Sequence, residues 1–356
     1  MQVRGKGHLI LSFDLGFEID LTRASEKVLA HPTRKLRHKR GRTSSRRFFG
    51  GALRLVQTGQ RLDVPWGRTE EVVELSLYSF GALSVTYTFM LGGEFADLVT
   101  TSDYLYDDEI LLADARVRAA ELLDTLGNTV SKPALSEIVE DYILYHLHPD
   151  GITPSMLVEE QRRLTARILR AEQGILSEHE IQNALSTALS YGPNEVVIVD
   201  WLAAILLGSD MDDEKNVLEL ANVELLELRF LDAKLEEGVD DAYELLERGR
   251  RARWAFALRS RELERLGRMQ ADSTILLEGS DNALKLVGED YLARFYTQVG
   301  EKLHFAGWEA SIDRKLRILE SIYSQLRDVA AHRRSEALEW IIVLLIAVDI
   351  VIYFIG

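Results

Sequence analysis

Residues 338–356 read LEWIIVLLIAVDIVIYFIG, and the reading of this stretch decides how the rest of the chain is placed. Its residues are apolar except Glu339 and Asp349. At about 1.5 Å per residue a helix here would extend about 28 Å, close to the roughly 30 Å hydrocarbon thickness of a bilayer. No polar face interrupts the run, as one would in a helix lying half-buried on a core. An acid near the helix centre costs about 2.5–3.5 kcal/mol, while the Ile, Leu, Val and Phe residues from Ile341 to Ile355 together return roughly 3.6–7 kcal/mol. Asp349 therefore does not forbid insertion. Trp340 and Tyr353 stand near the two ends, where interfacial aromatics sit. The expectation is one transmembrane anchor, marked by Leu338, Glu339, Trp340, Asp349 and Tyr353. His332, Arg333 and Arg334 precede it. The positive-inside rule then puts the bulk of the chain in the cytoplasm at a bacterial cytoplasmic membrane, or in the matrix at a mitochondrial inner membrane.

A chain of 356 residues suggests two domains with ample core. The opening residues, MQVRGKGHLILSF, have too short an apolar stretch for a secretory signal. With no cysteine, disulfides and thiolate metal sites are excluded, and a reducing compartment fits. The net charge of −15 hides a segregation: from Lys27 to Leu62 there are eleven Lys or Arg and no acid, so the remainder is strongly acidic. An acidic body argues against a nucleic-acid partner. The basic segment from His31 to Gly51, rich in Pro, Gly and Ser and without apolar periodicity, reads as a mobile loop. Arg34, Lys35, Arg37, Lys39, Arg40, Arg42, Arg46 and Arg47 are its candidates for contact with anionic lipid. Phe48 and Phe49 could stack on RNA bases, but no RNA-binding motif surrounds them.

Residues 8–21 read as an opening strand or hairpin. VVELSLYSFGALSVTYTFML, residues 72–91, reads as two strands about Phe80-Gly81. Asp107 and Asp108 cap a helix through Leu126. Residues 138–147 suit a strand, 154–189 a helical pair broken near Gly174, and 195–199 a short buried strand. From Asp213 the chain turns to long helices, with Leu218, Ala221, Leu225, Leu228 and Leu235 on one heptad seam broken at Asp232. Ile312, Leu316, Leu319, Tyr323 and Leu326 make a second seam, and Leu316, Leu319, Tyr323 and Leu326 are candidates for self-association of the helix. With no Gly or Pro between Gly307 and Gly356, one helix of about 48 residues could run into the anchor, about 72 Å in all. The fold expected is α+β: an N-terminal α/β domain with a small mixed or antiparallel sheet, a coiled-coil-like stalk, and the anchor. Its divisions fall at 1–62 (strand and basic segment), 63–205 (α/β domain), 206–336 (stalk) and 337–356 (anchor).

The sequence offers no catalytic constellation. His146 and His148 alternate on a strand and share a face, but no third metal ligand stands near them. Asp210, Asp212, Asp213 and Glu214 sit where a helix begins, and the macrodipole favours carboxylates there. GxxxxGK[ST], HExxH and GxSxG are all missing. No catalytic, cofactor or metal residues are therefore expected, and the chain is not expected to be an enzyme.

The stretch from Asp313 to Val351, with Leu338, Glu339 and Trp340, an apolar run and then an acid, resembles the C-terminal signature of the "required for meiotic nuclear division" family. LYSFGALSVTYTF (from Leu77) and LANVELLELRFLDAKLE (Leu220 to Glu236) resemble that family's strand pair and first long helix. The resemblance implies a membrane-anchored, self-associating scaffold of unknown activity that recruits a protein partner to the membrane surface. The alternative is a homo-oligomeric pore or transport component using Asp349. It implies no catalytic residues.

Overall fold

The computed structural model describes residues 1–30, 36–38, 52–148, 150–251 and 290–355. By internal contacts the chain divides into two units, Met1–Phe230 with Leu276–Gly307, and Leu231–Ile275 with Trp308–Gly356.

The first unit is built on one large sheet. Its strands are β1 (Gln2–Asp14), β3 (Leu36–His38), β4 (Ala52–Thr58), β5 (Asp63–Val64), β6 (Gly67–Tyr78), β7 (Ala82–Glu94), β9 (Val139–Leu147), β10 (Thr187–Leu189), β11 (Val196–Val199) and β12 (Ala203–Leu207). Their order is β10–β11–β12–β9–β1–β7–β6–β4–β3, with β5 paired to β6. Neighbours are antiparallel except β12 and β9, which run parallel. A separate pair joins β2 (Glu18–Ile19) to β8 (Val130–Ser131).

Alternation along β1, β6 and β7 gives the sheet two unlike faces. One face carries Leu9, Leu11, Phe13, Val73, Leu75, Leu77, Leu83, Val85, Tyr87 and Phe89, all buried. Helices α1 (Leu21–Ala30), α2 (Asp97–Leu105), α3 (Glu109–Leu126) and α4 (Arg162–Leu169) contribute to the same core through Val28, Leu98, Leu111, Ala115, Leu122 and Ile168. The N-cap of α3 is Asp108, whose carboxylate accepts from Ile110 N at 3.1 Å and Leu111 N at 3.0 Å. The turn between β6 and β7 needs a glycine. Gly81 has φ +108°, and a Cβ there would lie 1.9 Å from the Gly16 carbonyl oxygen.

Helix α5 (Glu178–Ala184) and β10 follow α4, so the helical pair expected over 154–189 ends in a strand. The long helices are α6 (Asp212–Arg251), α7 (Asp290–Lys302) and α8 (Phe305–Ile355). In the second unit, Lys315 of α8 is 3.0 Å from Asp232 Oδ1, donates to the Asp232 carbonyl at 3.1 Å and pairs with Glu236, both on α6. Leu319 and Leu326, expected on a self-association seam, are buried within the chain, and Leu316 and Tyr323 are half-buried.

Two expectations about the fold are corrected. The sheet is large, not small. β4 follows directly on the basic segment, β10 has only three residues, and β12 is an apolar run that alternation does not mark as a strand. The transmembrane anchor is not supported either: among the described residues no helix is long and apolar enough to cross a membrane. The apolar run is the end of a 51-residue helix whose earlier turns are rich in charge. Of the anchor residues, Glu339 and Trp340 are exposed; the side chains of Leu338, Asp349 and Tyr353 lie outside the described residues. Of the basic candidates, Arg37 has its backbone in β3, paired with Val56 of β4. Arg34, Lys35, Lys39, Arg40, Arg42, Arg46 and Arg47 lie outside the described residues.

Candidate functional site

The second face of the sheet is polar, yet it is covered. One cross-strand row reads Glu140 (β9), Ser12 (β1), Ser84 (β7), Ser76 (β6) and Arg54 (β4). Such a face normally meets water. Here the first half of α6 lies on it: every residue from Glu214 to Leu228 is buried. Lys215, Glu219, Asn222 and Arg229, spaced by 4, 3 and 7, form one stripe of the helix. Lys215 Nζ lies 3.7 Å from Glu74 Oε2 and 3.4 Å from His8 Nδ1, which is 3.0 Å from Thr88 Oγ1. Arg54 and Glu219 pair at 3.2 Å. Asn222 Nδ2 donates to Ser12 Oγ at 2.9 Å and to the Glu140 carbonyl at 3.2 Å, and Arg229 pairs with the Glu140 carboxylate. Burial pushes Glu140 up to about 7, against the lowering effect of Arg229. Arg229 is half in water, so its charge is screened. A slid helix would leave these charges unpaired, which makes the seam a register device.

With α6 fixed, α7 can be fixed beside the sheet edge. Asp200, fully buried where β11 ends, accepts from Arg170 Nε at 2.8 Å and lies 3.1 Å from Lys302 Nζ at the C-terminal end of α7. Tyr142 OH donates to the Asp200 carbonyl at 2.7 Å. Lys302 also donates to the Asn183 carbonyl at 2.7 Å and to Ser186 Oγ at 3.3 Å, immediately before β10. At the other end Tyr291 lies within reach of the Glu214 carboxylate of α6. Its ring lies 4.9 Å from that of Tyr191 and stacks on Phe295 at 6.4 Å. Burial raises the Tyr291 hydroxyl, and the Glu214 carboxylate raises it further. Burial likewise raises Glu214, with Asp213 and Glu195 adding to the effect.

Pinned at both ends, α7 runs beside β10 and leaves an open groove of about 240 Å³ between them. Ala188, Leu189 and Ser190 line the strand side, and Tyr291, Arg294 and Gln298 line the helix side. The three helix residues are spaced i, i+3, i+7 and so share one strip. Among the described residues no strand pairs with the outer side of β10. The groove is smaller than the roughly 300–1,000 Å³ usual for small-molecule sites, and it borders an open sheet edge.

None of the residues singled out from the sequence lies in this groove. His146 and His148 do lie together, rings 5.8 Å apart, but His148 is just past β9 and His146 Nε2 is 2.9 Å from the Gly208 carbonyl oxygen. Burial lowers His146. Among the described residues no three His, Asp or Glu side chains are grouped to hold a metal. Tyr191, Tyr291, Arg294 and Gln298 were missed. The only signal was the polar and aromatic i, i+3, i+7 strip on α7, which sequence alone reads as a solvated face.

A family model described as "Uncharacterized protein MJ0711, N-terminal domain" matches residues 4–214, more than half of the chain, and the chain belongs to that family. It is 25% identical over 235 residues to "Uncharacterized protein MJ0711" of Methanocaldococcus jannaschii, covering 65% of this chain and 71% of that protein. No solved structure matches. The matches overturn the resemblance to the meiotic nuclear division family. That resemblance rested on the stretch from Asp313 to Val351 with Leu338, Glu339 and Trp340, on the strand pair from Leu77 and on the helix from Leu220 to Glu236. With it go the membrane-anchored scaffold, the pore using Asp349 and the integral membrane partner, since no described helix can span.

Proposed function

We propose that this member of the MJ0711 N-terminal family is a non-catalytic binding module that takes an extended peptide as an added strand on β10. The observation that carries the reading is the groove itself: an open edge strand flanked by a helix strip that is fixed at both ends. Strand addition uses main-chain hydrogen bonds for affinity and side-chain contacts for choice. Ala188 is small and exposed, so a peptide backbone can approach β10 closely. The groove's volume suits a residue or two of chain better than a cofactor. The ionisable groups of the first unit also favour a structural rather than a chemical role. Lys215, Glu74, Arg54, Glu219, Arg170, Asp200 and Lys302 are tied to one another in pairs that hold α6 and α7 in place.

β10 has three residues, so an added strand can gain only two or three main-chain hydrogen bonds, about 0.5–1.5 kcal/mol each. Micromolar affinity, about 8 kcal/mol, then needs side-chain contacts as well. The test is an array of random heptapeptides, tethered through their N-termini and made with free or amidated C-termini, titrated with the full chain. Binders should weaken at least tenfold against Ala188→Trp, which fills the groove without changing charge, while its melting temperature stays within about 2 °C. An array without binders, or binders indifferent to Ala188→Trp, would sink the reading.

A further inference from the structure

His146 and His148 take no part in the ion pairs that hold α6 and α7. His146 lies near the end of β9, and the His148 amide donates to the Arg4 carbonyl at 2.9 Å, so the pairing of β9 with β1 continues past Leu147. Residues two apart on a strand project from the same face. The two rings stand 5.8 Å apart, tilted by 47°. An ion about 2.1 Å from one nitrogen of each ring holds the ring centres at most about 6.5 Å apart, so the spacing suits a shared ion. One ring is also oriented. His146 Nε2 lies 2.9 Å from the Gly208 carbonyl oxygen, which can only accept, so the proton is on Nε2 and the neutral ring keeps its lone pair on Nδ1. A carbonyl that holds the second N–H of an imidazole is the usual outer support of a metal-ligating histidine. Burial lowers the His146 pKa, outweighing the Gly208 contact that raises it, so the neutral, ligating form prevails at pH 7. His148 is exposed, so the pair opens to solvent.

We propose that His146 and His148 together bind one divalent transition-metal ion of the class that takes imidazole nitrogen: Cu²⁺, Ni²⁺ or Zn²⁺. The site is separate from the β10 groove and does not rest on the strand-addition reading. Among the described residues no third His, Asp or Glu is grouped with the pair, which leaves the other positions of the ion to water. Imidazole ligands favour Cu²⁺ over Ni²⁺ and Zn²⁺, whereas Mg²⁺ takes oxygen ligands and should not bind. The charges around the pair are balanced. Asp212 at the start of α6 acts on His146 and favours a cation there, while Lys215 opposes one. Lys215 Nζ lies 3.7 Å from Glu74 Oε2, and Lys6, opposite His146 on β1, pairs with Glu70 at 2.9 Å.

The metal-free full chain is titrated with each ion alone by isothermal titration calorimetry, at pH 7.5 in a non-coordinating buffer. One ion per chain should depend on the pair, with Cu²⁺ tightest and no binding of Mg²⁺. His148→Ala removes an exposed ring, so the melting temperature should stay within about 2 °C while binding weakens at least tenfold. His146→Gln keeps an N–H for the Gly208 carbonyl and should weaken binding as much. His179→Ala, at an exposed histidine of α5, should leave binding unchanged. Both imidazoles must be unprotonated to ligate, so binding should also weaken at least tenfold between pH 7.5 and pH 5.5. Cu²⁺, Ni²⁺ and Zn²⁺ binding no better than Mg²⁺ would overturn the site. So would binding that survives either His148→Ala or His146→Gln, or that falls equally with His179→Ala, or that is unchanged at pH 5.5.

Discussion

Replacing Glu140 by Gln tests whether burial or the Arg229 pair governs the seam. Burial raises the Glu140 carboxyl from the ordinary 4.5 to about 7 despite Arg229. Such a displacement is worth about 3 kcal/mol between the two protonation states. The direction follows from proton binding. Between pH 4.5 and about 7 the folded chain holds this proton while the unfolded chain has released it, so stability falls as pH rises. The contribution is fully present below pH 4.5 and gone above about pH 7. Glu140→Gln cannot ionise, yet it still offers Arg229 an acceptor. Urea unfolding of both proteins at pH 5 and pH 8 isolates the effect, because Asp141, Glu214 and the other acids titrate in both. The variant should gain about 2–3 kcal/mol on the parent between those two pH values. Parallel curves would mean that Glu140 titrates normally in the folded chain. A variant that loses ground as pH rises would mean that Arg229 outweighs burial, and the account of the seam would fail.

Three further substitutions probe the frame that positions the groove. Asp200→Ala leaves Arg170 and Lys302 without their shared partner and should cost about 3–5 kcal/mol in urea unfolding, with the α7 amides losing hydrogen-exchange protection. Gly81→Ala drives a Cβ to within 1.9 Å of the Gly16 carbonyl at φ +108° and should cost at least about 2 kcal/mol, read as a fall in melting temperature. Ser84→Ala removes a buried hydroxyl that has no protein hydrogen-bond partner among the described residues, and should leave stability unchanged or raise it by about 1 kcal/mol. A loss beyond about 1 kcal/mol would show that the hydroxyl is satisfied.

The parts of the fold that could be read from the sequence are those whose cause is local. A Phe-Gly step between β-branched runs marks the β6–β7 turn, because only glycine fits beside the Gly16 carbonyl. Asp108 marks the start of α3 because its carboxylate caps the second and third N–H groups of that helix. The stripe of α6 that meets the sheet could not be read in this way. Leu218, Ala221, Leu225 and Leu228 announce one buried face. Lys215, Glu219, Asn222 and Arg229 look like the solvated face opposite; the first three are buried, and Arg229 is half-covered, only because β1, β4, β6 and β9 bring His8, Arg54, Glu74 and Glu140 to meet the stripe. These partners stand between 82 and 207 positions away in the chain, where no periodicity reaches.

The tail and the groove fail to be read for the same reason, seen from opposite sides. The lack of Gly and Pro after Gly307 lets one long helix be read, and that helix runs from Phe305 to Ile355, but the apolar composition of residues 338–356 does not by itself make its end a membrane span. The groove has no composition to notice. Its strand has only three residues, too few to register from sequence, and its helix side is a strip that any exposed helix could carry. What makes it a site is position. The sheet order puts β10 at an edge, the β11 end supplies Asp200, and Asp200 holds Lys302 so that α7 runs alongside. The chemistry of Arg294 and Ser190 becomes a shared property of one space only after that sequence of placements. Function in this chain is therefore to be sought where strand order ends, not where a motif begins.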